Sequence, residues 1–294
     1  MLIVTCSPRV PSGILAAPAW DALRSGPCYA VGVDVAGVRA AGIGVTCTAV
    51  SDLPDEAVAL VSVDDAETLA ALGNATIIRG SWDLPGARLL DAVAVMDRLR
   101  GPGGCPWDAE QTHESLRQYL VEETYEAVDA ITGGDVDGLR EELGDVLLQV
   151  LFHSRIAADN EDYTIDDVAV GIAAKLIRRH PHVFAEVPVR DSAEVHRNWE
   201  EIKKAEKQRG SSLDGVPRSL PALKLAETLQ RKADRAGFGE VASAVDGSIG
   251  AELFALVARA RAAGIDPEQA LRDVATAYDV AVRAAETKAP DAAS

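Results

Sequence analysis

The sequence contains no run approaching the roughly 18 consecutive apolar residues that a membrane-spanning helix needs, so no membrane association is expected. Residues 1–11 also lack the basic start and long apolar core of a signal peptide, and a cytoplasmic protein is expected. Basic residues are scarce: 29 Lys and Arg stand against 46 Asp and Glu, a formal net charge of −17. A chain with that balance has no basic face to follow a phosphate backbone, which argues against nucleic-acid binding. A nucleotide enzyme is not excluded, because carboxylates hold metal ions and the metals carry the phosphates. The four cysteines, Cys6, Cys28, Cys47 and Cys105, form no CxxC pair and read as reduced thiols, not a disulfide framework. Over residues 1–86 there is neither a GxGxxG nor a GKS/GKT loop, and no site chemistry is evident there.

What is present divides the 294 residues into three. Residues 1–86 read as a small α/β region, with strands at 2–6, 45–48, 58–61 and 76–78 and a short helix at 66–72, separated by Gly, Pro and Asp. From Ala87 the apolar period becomes helical. Helices are expected over 89–99, 114–131 (with Thr112 as cap), 136–158, 165–179 and 193–207. The Gly-Pro-rich stretch 101–106 breaks the first of these, Gly133-Gly134-Asp135 is a turn, and Pro181 stops the fourth. Residues 208–212 read as a linker, and 220–287 are again helical. A short internal repeat aligns Leu143–Leu148 with Ile249–Phe254, and a duplicated helical bundle is the expectation.

The most informative residues are carboxylates. Glu122, Glu123 and Glu126 lie on one expected helix, with Glu123 and Glu126 one turn apart. Glu142 and Asp145 have the same spacing on the next helix, and the short turn makes the two an antiparallel hairpin, so the pairs can face each other. Both pairs border the faces expected to pack, beside Leu116, Tyr119, Leu139, Leu143 and Val146. Four such charges repel strongly at low dielectric and must bind cations, gain protons or meet basic partners. A hard all-oxygen ligand set suits Mg²⁺ or Mn²⁺, not Zn²⁺. A di-iron centre would need Glu-x-x-His pairs, and no histidine occupies those offsets.

Residues 87–207 resemble the MazG family of the all-α NTP pyrophosphatase superfamily. The resemblance is carried by residues 104–108 and 110–113, by 120–131, by Leu139–Asp145, by Lys175–Phe184 and by Trp199–Lys203. It implies a mainly α fold: a MazG-like helical bundle preceded by the small α/β region and followed, over 208–294, by a degenerate second module. In that module Ser248 and Ala251 stand where Glu142 and Asp145 do in the first. It implies Mg²⁺, with Mn²⁺ as a substitute, held by Glu123, Glu126, Glu142 and Asp145. Glu122 would support the site or help activate water. It also implies phosphate contacts from Lys175, Arg179 and Lys203, and a place for Trp199 at the nucleotide. The implied reaction is hydrolysis of an NTP or dNTP between the α- and β-phosphates to the monophosphate and pyrophosphate, a nucleotide-pool housecleaning activity, in a homodimer. The alternative is a non-catalytic helical scaffold or regulator that keeps the bundle. The preferred base stays open.

Overall fold

The N-terminal region folds because its central strands are apolar on both faces. In the computed structural model, which describes residues 1–185, 187–207, 210–239 and 247–287, five strands pair in parallel. They are β1 (Leu2–Cys6), β2 (Cys28–Val31), β3 (Val45–Cys47), β4 (Val58–Ser62) and β5 (Thr76–Arg79), in the order β3-β2-β4-β1-β5. β1 and β4 lie inside the sheet with Val4 opposite Leu60, and both read as continuous apolar runs, as covered parallel strands do. Alternate residues serve opposite cores. Val4, Cys6 and Leu60 pack with α1 (Ala17–Arg24) and α2 (Ala36–Ala40). Ile3, Ala59 and Val61 pack with Leu69 and Leu72 around α3 (Ala66–Ala71). The sequence reading places four of the five strands and α3; it omits β2, α1 and α2.

Burial makes two of the thiols poor nucleophiles. It pushes Cys6 up to about 11, with the charge of Asp34 adding to the effect, and it also raises Cys28. All four cysteines are free.

Past the carboxyl ends of the strands, the loops converge on Arg9. Its guanidinium donates to Asp64 (2.7 Å), Asp83 (2.7 Å) and Asp91 (2.5 Å), and Ser7 donates to Asp83 (2.5 Å). Asp91 lies on α4 (Leu89–Arg100), so this network ties the sheet to the first long helix.

The helices that follow are α5 (Pro106–Glu110), α6 (His113–Gly133), α7 (Val136–Asp159), α8 (Ile165–Arg179), α9 (Pro181–Phe184) and α10 (Ser192–Lys207). They are followed by α11 (Ala222–Arg235), α12 (Ile249–Ala262) and α13 (Pro267–Glu286). The expected linker begins at residues 208 and 209, which lie outside the described residues. The chain forms two compact units, Met1–Ala174 and Lys175–Ser294. In the first, Met96 of α4, Leu116 of α6 and Leu151, Phe152 and Ile156 of α7 make a common core. The apolar stripe expected along α7 divides: Leu151 is buried, whereas Leu143 is 54% exposed. The repeated segment also differs in setting. Leu143 lies within α7, while Ile249 opens α12 and Ser248 caps it through Ala251 N.

Candidate metal centre and basic cluster

Local chemistry sets the α6–α7 hairpin. Thr112 and Ser115 form a reciprocal capping box at the start of α6, each side chain accepting from the other's backbone N–H (3.1 and 3.0 Å). Gly134 closes α6 in the left-handed conformation at φ 69°, which glycine adopts without steric cost. Asp135 then caps α7 by accepting from Gly138 N at 2.9 Å. At the open end of the hairpin, His113 and His153 meet through their Nδ1 atoms at 2.7 Å.

The hairpin brings carboxylates together. Glu126 and Glu142 are each eight residues from Gly134, and Glu123 and Asp145 are each eleven. Carboxylate oxygens of Glu123, Glu142 and Asp145 lie within 4.8 Å of one another, and all three residues are partly buried. Glu126 is more exposed and lies close enough to Glu142 to share a proton with it, while Glu122, also exposed, adds its charge to Glu123. The charges leave a mark. Burial first, then Asp145, Glu126 and Glu122, raises the Glu123 carboxyl above its ordinary range. Burial, then the charge and hydrogen bond of Glu126, does the same for Glu142. Among the described residues the cluster is three convergent carboxylates without a nitrogen or sulfur donor, which matches what a hard divalent cation takes.

These shifts imply a pH dependence with a definite sign. A carboxyl raised in the folded state stabilises the fold fully below its unfolded value, near 4.5, and loses that contribution as pH rises through the folded value. In EDTA, acidification from neutrality toward that value should therefore favour wild type over a Glu123→Gln/Glu142→Gln double variant. Mg²⁺ should stabilise wild type alone and flatten its pH dependence toward neutrality, where the cation takes the place of the protons. Thermal unfolding of both proteins across this range checks it, and parallel curves in EDTA would rule it out.

The second group of expected residues lies in the Lys175–Ser294 unit. Lys175 is exposed. Arg179 is 8% exposed, although its residue type and helical position read as an exposed charge. It donates to Glu206 through Nη2 (2.5 Å) and Nε (3.1 Å), and its guanidinium lies 5.2 Å from the centre of the Trp199 ring. Lys203 Nζ lies 4.6 Å from the same ring. Arg178 Nε donates to Glu206 at 2.6 Å. Glu206 is in consequence held at about 2, chiefly by Arg179 and then by Arg178. The structure thus joins Glu123, Glu142 and Asp145, with Glu126 beside them, and separately joins Arg179, Trp199 and Lys203. Sequence reasoning omitted Glu206; its position seven residues after Trp199 and three after Lys203 was the available signal.

Comparison with known proteins points to one family. The profile of the MazG nucleotide pyrophosphohydrolase domain matches residues 111–184, which span the hairpin and α8. An uncharacterised 26.1 kDa protein from Streptomyces cacaoi is 50% identical over 213 residues, covering 71% of this chain and 87% of that one. The nucleoside triphosphate pyrophosphohydrolase/pyrophosphatase MazG of Thermotoga maritima is 40% identical over 205 residues, 62% of this chain and 79% of that protein. The nucleoside triphosphate pyrophosphohydrolase of Escherichia coli is 47% identical over 150 residues; the match covers 50% of this chain and only 57% of that enzyme. The crystal structure of a mazG-related protein from Thermotoga maritima aligns at 28% identity with a TM-score of 0.34, over 40% of this chain and 97% of that one. With α6 and α7 supplying the carboxylates and a relative matched over most of its length, the chain belongs to the MazG nucleotide pyrophosphohydrolase family.

Proposed function

We propose that this protein hydrolyses nucleoside and deoxynucleoside triphosphates to the monophosphate and pyrophosphate with Mg²⁺, in a cytoplasmic housecleaning role. The observation that carries the reading is the convergence of Glu123, Glu142 and Asp145 within 4.8 Å on a hairpin that matches the family. Glu123, Glu126, Glu142 and Asp145 would hold the cation, which neutralises phosphate oxygens and acidifies water when bound. Glu122 or a neighbouring carboxylate accepts the proton of the attacking water, favoured by a site in which like charges raise proton affinity. Lys175, Arg179 and Lys203 meet the charge developing on the leaving pyrophosphate, with Trp199 beside the nucleotide. The catalytic module is residues 87–207. Residues 1–86 stand outside it, and 208–294 are a second module without the ligand carboxylates.

A homodimer fits the exposed apolar residues of the hairpin. Val121 (51%), Ile131 (62%) and Leu143 (54%) lie open to solvent in the single chain, as they would if another subunit covered them. The decisive experiment incubates the purified chain with a panel of NTPs and dNTPs and Mg²⁺, and resolves the products by chromatography. Monophosphate with pyrophosphate is expected. Diphosphate with orthophosphate would place the cut at the other bond, and no turnover with either Mg²⁺ or Mn²⁺ would return the protein to the scaffold reading.

A further inference from the structure

We propose that Glu206 is a positioning residue that holds Arg179 ready for substrate phosphate; the inference rests on the reading that the α8–α10 cations receive the phosphates of an NTP. Trp199, Lys203 and Glu206 are spaced four and three residues apart on α10, so one face presents a ring, an ammonium and a carboxylate in sequence. The C-terminal turn of α8 meets this face with Arg178 and Arg179. Glu206 is only 17% exposed, and it takes the Nε–Nη2 edge of Arg179 while also accepting from Arg178. The Trp199 indole supports the guanidinium face at 5.2 Å. A planar guanidinium fixed along one edge and over one face has lost its freedom before any ligand arrives, and its Nη1 group, without a partner among the described residues, can address an oxyanion. Binding then costs less ordering than it would for an arginine free in solvent.

The alternative role for Glu206 is charge neutralisation alone, and the two roles predict opposite signs. A carboxylate that merely cancels two arginines opposes phosphate, so Glu206→Gln would bind phosphate more tightly. A carboxylate that orients Arg179 aids phosphate, so the same change would weaken it. The experiment titrates pyrophosphate into the full-length chain by calorimetry, for wild type, Glu206→Gln and Glu206→Asp, and measures KM and kcat for an NTP alongside. Glu206→Gln is expected to weaken pyrophosphate about tenfold and to lower kcat/KM by at least a similar factor, with kcat falling as well, because Arg179 meets phosphate charge both in the bound state and as it develops on the leaving group. Its Mg²⁺-induced thermal shift should match wild type. Glu206→Asp keeps the charge but withdraws it by one methylene, and an affinity about threefold below wild type is expected. That variant carries the test should the glutamine form not fold. Unchanged or tighter binding in the variants overturns the proposal, and so does a wild type that does not bind pyrophosphate. A wild type that binds pyrophosphate yet hydrolyses no NTP refutes the proposed activity while leaving the role of Glu206 standing.

Discussion

Replacing Glu123 by glutamine is expected to abolish turnover while making the metal-free protein harder to unfold. The two effects share one cause. Glu123 is partly buried and faces Asp145, Glu126 and Glu122, whose charges all oppose its ionisation. A neutral isostere relieves that repulsion, and the melting temperature in EDTA should rise by roughly 1–3 °C. The same substitution removes a carboxylate oxygen from the proposed ligand triad of Glu123, Glu142 and Asp145. Loss of metal-centred charge stabilisation should lower kcat/KM by about a thousandfold or more. The stabilisation expected for wild type with Mg²⁺, about 2.7 kcal/mol at a hundredfold excess over Kd, should vanish with it. Parallel melting curves with and without Mg²⁺, beside product analysis, decide the matter. A variant that loses activity and metal-free stability together would show that Glu123 serves the fold and not the ion.

Truncating Leu116 to alanine should have the largest effect on stability. Leu116 is 1% exposed and fills the space between Met96, Leu151, Phe152 and Ile156. Removing its isobutyl group from a packed core is expected to cost about 2–5 kcal/mol, the range of buried leucine truncations. In a domain of this size that lowers the melting temperature by roughly 5–15 °C. The site should suffer too. Leu116 lies seven residues, two helical turns, before Glu123, so the contact that seats α6 on α7 also sets how far Glu123 stands from Asp145. Denaturant midpoints and Mg²⁺ titrations of the folded fraction measure the two consequences separately. Val136→Ala, at a position 79% exposed, should stay within about 0.5 kcal/mol of wild type and serves as the control. A Leu116→Ala protein as stable as that control would mean that this core does not hold the hairpin.

How much of this was legible beforehand follows from the range of the forces involved. β1 and β4 announce themselves as apolar runs, and α6 and α7 as periodic ones bounded by Thr112 and Gly134. These signals are local. β2 was not legible: Cys28–Val31 is short, follows Pro27, and owes its state to pairing with β3 and β4. The carboxylates could be read because their ligand spacing is helical within each segment and the turn between the segments is short. Arg179 could not be read as buried, because the partner that permits its burial, Glu206, lies 27 residues away on another helix. His113 and His153 meet across 40 residues for the same reason. The exposure of Leu143 was likewise hidden, since an apolar period shows that a face wants cover and not what provides it.

The two-residue connection at Gly134 and Asp135 fixes the phase between α6 and α7. Each residue added to a helix advances its azimuth by about 100°. An insertion or deletion of one residue in the first turn of α7, with the Asp135 cap retained, would swing Glu142 and Asp145 together away from Glu123 and Glu126. The fold would keep every helix and the chain its full complement of acidic residues, yet Glu142 and Asp145 would no longer converge with Glu123. A chain of altered length at this corner would have to restore the phase within α6 or α7 to bring these carboxylates together again.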